Sequence, residues 1–188
     1  MGFGKAFALS LIIYIALNFV FGMLVYLLGA GIDQYFNLLT SDPMFFIFSL
    51  FAPVLFLPGD IWVGTTSTGI VGLISDLMGG GTGMLDLLMA VLAGIIPALL
   101  AAIIAGRTAE SKGAAFGAWL LTAIISAVVT LVFLGFLSAD STNLAPLWFS
   151  YTIIYGSEII VYIVIILAGL VSGIFYGAFA AVSASEGF

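Results

Sequence analysis

Charge is what this sequence has least of. Asp, Glu, Lys and Arg make up 6% of its 188 residues, while 64% are hydrophobic. An average soluble domain is about 25% charged. So sparse a set cannot keep a globule in water, and the outside must meet lipid. A mean hydropathy of +1.37 agrees. Bases are scarcer still: Lys5, Arg107 and Lys112 face nine acids, for a net charge of −6. Nucleic acid is therefore not expected as a partner, because neutralising phosphates takes Lys and Arg. Cysteine is missing altogether, which removes disulfides and thiolate metal sites. Histidine is missing as well, and with it go the commonest general base and the commonest transition-metal ligand. Ser-His and Cys-His catalytic pairs cannot be built. The stretch Leu57-Pro58-Gly59-Asp60 lacks the first glycine of the GxGD motif of aspartyl intramembrane proteases. The sequence reads as a non-enzyme with no cofactor and no metal site.

What is present is long apolar runs. The first, about 7–28, contains one interior amide, Asn18. It is longer than the 7–15 residues of a signal-peptide core, so a retained first span is expected. A polar stretch, 29–43, reads as a loop carrying Asp33 and Asp42, with Pro43 suited to the first turn of a following helix. Residues 44–57 are intensely apolar, but 14 residues rise only roughly 21 Å as a helix, against a hydrocarbon core of ~30 Å. Pro58-Gly59 then break the run, and 70–78 is a second short apolar piece before the glycine-rich 79–83. Two spans follow, about 84–106 and 113–137, joined by a tight turn at 107–112 that makes them an antiparallel hairpin. After a loop at 138–143, the apolar stretch 144–184 is too long for one crossing. A break near Gly156-Ser157 leaves a final span at about 159–182.

The expected fold is therefore an all-α integral membrane protein, a single transmembrane domain over 1–188. It has four transmembrane helices plus a short re-entrant or interfacial helical hairpin; six transmembrane helices are the alternative. Basic residues mark the cytoplasmic side. Putting Lys5, Arg107 and Lys112 all inside requires 44–78 to cross zero or two times. Both termini are then cytoplasmic, in a multi-pass cell-membrane protein with an acidic outer face.

Small residues recur at four-residue spacing: Ala90, Gly94, Ala98, Ala102 and Gly106; Ala114, Ala118, Thr122, Ser126 and Thr130; Gly169, Gly173, Gly177 and Ala181. Each set lies on one helical stripe. Lipid gives helices no hydrophobic reason to associate, so close backbone approach must supply the attraction. Three closely packed helices are predicted, with Gly94, Ala98, Ala102, Gly169, Gly173 and Gly177 as packing positions. Pro97 should free a carbonyl near residue 93 and bend its helix.

Acids inside apolar stretches are candidate functional groups. Asp60 and Glu158 are the two, and Thr65, Thr66 and Thr68 form a hydroxyl-rich run beside Asp60 that suits ion or solute binding. Two functions follow. One is a non-catalytic integral subunit of a larger membrane complex, with lipid and other membrane subunits as partners. The other is a small solute or ion transporter or channel component, using the acidic outer face and the 44–83 segment.

Overall fold

A computed structural model describes residues 2–28, 31–51 and 84–184. The described residues are almost wholly helical. In chain order they form α1 (Phe3–Leu28), α2 (Ile32–Ser41), α3 (Pro43–Phe51), α4 (Met84–Thr108), α5 (Lys112–Leu131), α6 (Leu144–Tyr155) and α7 (Glu158–Ser183). A π-helical turn, Val132–Phe136, extends α5 before a short 3-10 turn at Ser138–Asp140. Among the described residues four helices are long and apolar enough to span a membrane: Phe3–Leu28, Val91–Thr108, Lys112–Phe136 and Glu158–Ser183.

Contacts fix the directions of these four. Ser10 of α1 meets Thr122 of α5, and Phe3 lies against Gly117, so α1 and α5 run parallel. Gly169, Gly173 and Gly177 of α7 meet Ala127, Leu120 and Phe116 in turn, so α7 is antiparallel to α5. Gly106 near the end of α4 lies on the backbone of Ala180 near the end of α7, so those two descend together. The start of α1, the 107–112 turn and the end of α7 thus share one end of the bundle. The α5–α6 loop and the start of α7 share the other.

The interior follows from small side chains. Ala98, Ala101, Ala102, Ala105, Ala115, Ala118, Ala123 and Ala180 are buried around Tyr14, Trp119 and Tyr176. A Cβ on Gly173 would stand 2.6 Å from Leu120 Cδ1, and one on Gly177 would stand 2.9 Å from the Phe116 ring. Such approach is what helices need where dispersion and not water drives contact. Trp119 fills the centre, edge-on to Tyr14 and to Tyr176, and its indole N–H donates to the Ser172 carbonyl at 3.3 Å. Gly94 is buried on α4. Pro97 is buried inside the helical span of α4.

The stretch 29–43 differs from the sequence expectation. It is not a loop: residues 32–41 are helical. Its apolar residues Ile32, Tyr35, Phe36 and Leu39 recur at three- and four-residue spacing, and Tyr35 is buried among Phe19, Tyr26 and Phe46 at ring-centroid distances of 5.3–5.6 Å. Packing on α1 outweighs the polar composition. In 144–184, Gly156 adopts φ 74° after α6, a left-handed conformation that glycine takes without steric cost. The break therefore falls at Gly156-Ser157. Segment 52–83 lies outside the described residues, and so does the remainder of the expected hairpin.

Candidate functional site

The least ordinary geometry surrounds α3. Its start is pinned by Asp42, whose carboxylate caps the helix by accepting from the Phe45 N–H at 3.1 Å. An Asp before a Pro is a strong helix-start pair: the carboxylate takes an orphan N–H, and the proline has none to orphan. The same carboxylate reaches across the fold to the loop before α6. Ser141 Oγ donates to it at 2.7 Å, Asn143 Nδ2 at 2.8 Å, and Thr142 Oγ1 and the Asn143 N–H each at 3.1 Å. Ser141 Oγ in turn accepts from the N–H of Leu144, the first residue of α6, at 3.0 Å. Burial alone would raise the Asp42 carboxyl; the donors from Ser141, Phe45 and Asn143 outweigh it and hold it down at about 2.

From this clamp α3 runs inward. Nine residues rise about 14 Å, close to half of a ~30 Å core. Phe48 packs with Leu134, Leu144, Val161 and Ile165, while the last carbonyls meet α1. Asn18 Nδ2 donates to the Leu50 carbonyl at 2.6 Å and Tyr14 Oη donates to the Phe51 carbonyl at 3.3 Å. Tyr14 and Asn18 stand near the midpoint of the 26-residue α1. The described α3 thus begins at one end of the bundle and reaches its middle. Ala6, Ser10, Tyr14 and Asn18 form the buried face of α1, again at four-residue spacing. Asn18 stands out in the sequence as a polar residue in an apolar run; the stripe it belongs to is legible there only from the four-residue spacing.

Beside this point lies a cavity of about 140 Å³, lined by residues including Asn18, Gly22, Tyr26, Tyr35, Ser49 and Ala93. Asn18 Oδ1 is buried with no hydrogen-bond partner among the described residues; Ser126 Oγ and Thr130 Oγ1 on α5 are in the same condition.

The sequence-derived candidates fall elsewhere. Glu158 occupies the first turn of α7, exposed, at the bundle end that carries the Asp42 clamp. The structure does not bring it to the cavity. Asp60, Thr65, Thr66 and Thr68 lie outside the described residues. Ala98, Ala102, Gly169, Gly173 and Gly177 are buried between helices. No group of three or more acids that could hold a metal occurs among the described residues. In the sequence Asp42 is only one of several acids expected on the outer side. Its partners, Ser141, Thr142 and Asn143, are about a hundred residues away, and nothing local announces them.

Compared with protein-family models, with characterised proteins and with solved structures, the chain matches none.

Proposed function

We propose that the protein is a non-catalytic integral subunit of a larger membrane complex. The reading is carried by α1. Of its most apolar window 11% is buried, against 44%, 39% and 39% for the windows of α4, α5 and α7. Its contact face is the narrow seam of Ala6, Ser10, Tyr14 and Asn18, and it turns Ile12, Val20, Leu24 and Leu27 outward. Helices in lipid associate by packing, and a span this little covered is the one on which another subunit would seat. With Lys5, Arg107 and Lys112 at one end of the bundle, the charge rule assigns that end, and both termini, to the cytoplasm. The test is affinity purification in mild detergent. A specific chain should accompany the wild type and be lost on Ile12→Trp or Val20→Trp. A stable lone monomer by native mass spectrometry from the wild type sinks the reading.

A second reading, a small solute or ion transporter or channel component, is favoured by one observation: the last described carbonyls of α3 at mid-depth, held by Asn18 and Tyr14. Short helices reaching the bilayer midplane supply ligand groups in transporters. Asp60, Thr65, Thr66, Thr68 and Glu158 are the candidate ion- or solute-binding residues of this reading. Radiolabelled sodium and rubidium uptake into proteoliposomes checks it. Uptake above that of empty vesicles, reduced in Asn18→Leu, supports it; uptake equal to empty vesicles removes cation flux from consideration.

A further inference from the structure

Helix α2 is amphipathic. At about 100° of turn per residue, Ile32, Tyr35, Phe36, Leu38 and Leu39 share one side of it, and Asp33, Gln34, Asn37, Thr40 and Ser41 share the other. Tyr35 fixes how the helix is rolled. Its ring lies 5.3 Å from that of Tyr26, and its hydroxyl donates to the Phe19 carbonyl at 3.3 Å. A Cβ on Gly22 would stand 2.8 Å from the same hydroxyl. Phe19 precedes Leu28, the last residue of α1, by roughly 14 Å of helix. A tyrosine side chain is shorter than this, so α2 lies level with the last turns of α1 and not beyond them. The side of α2 that carries Tyr35 points toward the middle of the bundle, and the polar side points away from it.

Leu39 follows Tyr35 by four residues, about 40° round the helix, and so points the same way. Yet Leu39 is 52% exposed, and Phe36 on its flank is 45% exposed. Asp33, Asn37 and Thr40 are exposed on the opposite side. What lies around Leu39 is set by α1, whose last turns expose Leu24 and Leu27 at the same level, inside the candidate span Phe3–Leu28. The surroundings there are acyl chains and not water. A helix divided in this way along the bilayer depth is an interfacial helix, with its apolar face sunk roughly 5–10 Å into the boundary between headgroups and chains.

We infer that α2 is an interfacial anchor whose partner is the phospholipid bilayer itself. Leu39 and Phe36 seat among the upper acyl chains, while Asp33, Asn37 and Thr40 meet headgroups and water. The inference needs only the spanning helices, and neither a partner subunit nor flux, so it goes beyond both functional readings.

The chain has no cysteine, so single cysteines can carry a nitroxide label without background. The full chain is reconstituted in phosphatidylcholine vesicles with the label at Leu39→Cys, Phe36→Cys, Asp33→Cys or Asn37→Cys. Electron paramagnetic resonance then reads collisions with oxygen, which collects among acyl chains, and with a nickel chelate, which stays in water. The oxygen-to-nickel ratio should be several-fold higher at 39 and 36 than at 33 and 37. Val171→Cys, exposed near the middle of α7, is the control for insertion and should be oxygen-dominated whether or not the anchor exists. Nickel-dominated collisions at all four α2 positions, with 171 still in lipid, would overturn the anchor and leave the spanning bundle. An immobilised label at 39 and 36 that meets neither reagent would mean that protein covers this face, and would overturn the anchor as well. Nickel-dominated collisions at 171 too would remove the spanning helices along with it.

Discussion

Asp42 joins two helix starts that are distant in sequence, and its energetics can be read directly. Its pKa falls from 3.8 to about 2 in the folded protein. A carboxyl depressed on folding stabilises the ionised state. That contribution is complete above about pH 4 and fades as pH falls toward 2. The melting temperature in detergent should therefore drop between pH 4 and 2, and Asp42→Asn should remove this component of the drop. Asp42→Ala should cost about 2 kcal/mol at neutral pH, since it leaves the buried Ser141 hydroxyl without its acceptor and removes the cap of α3. Asp33→Ala, at an exposed position on α2, should change stability by no more than about 0.5 kcal/mol. Equal losses at the two positions would contradict the clamp.

At the scale of the element, glycines divide by what they face. A Cβ on Gly106 would collide with the Ala180 carbonyl and stand 2.7 Å from Ser183 Cβ. Backbone cannot swing aside as a side chain can, so α4 and α7 would have to separate. Gly106→Ala should destabilise by about 1–3 kcal/mol, measured as unfolding in sodium dodecyl sulfate. At Gly4 nothing lies within 4 Å. Gly4→Ala should stabilise by up to about 1 kcal/mol through helix propensity. Opposite signs from one chemical change, both inside apolar helices, would separate packing glycines from incidental ones. The same contrast explains α2: its polar residues are on the exposed side, and Tyr35 alone supplies a buried anchor large enough to hold ten residues helical against α1.

At the scale of the whole molecule, the bundle has two distinguishable ends. The absence of cysteine makes this testable without background. Single cysteines at Ser111→Cys, in the α4–α5 turn, and Ala139→Cys, in the α5–α6 loop, are both at exposed positions. In sealed inside-out and right-side-out vesicles an impermeant maleimide should label them from opposite sides, with residue 111 facing the cytoplasm. Labelling of both from one side would mean that α5 does not cross the membrane between them. The result is independent of what 52–83 does, since it concerns only α4 to α7.

Much of this was legible in the chain. Apolar run length set the four long helices, because the hydrocarbon thickness admits few lengths. The polar turn at 107–112 and the glycine at 156 marked two boundaries. Small residues at four-residue spacing marked the contact faces, and the same spacing on α1 would have identified Ser10 and Tyr14 beside Asn18. Composition misled at 29–43, where a half-polar helix reads as a loop until something packs on its apolar side. Neither of the α3 contacts could be read in advance. The Asp42 clamp joins residues about a hundred positions apart, and the Asn18–Leu50 bond depends on how far inward α3 reaches. Periodicity along one helix says which face is buried; only the packed bundle decides which partner meets it, and at what depth.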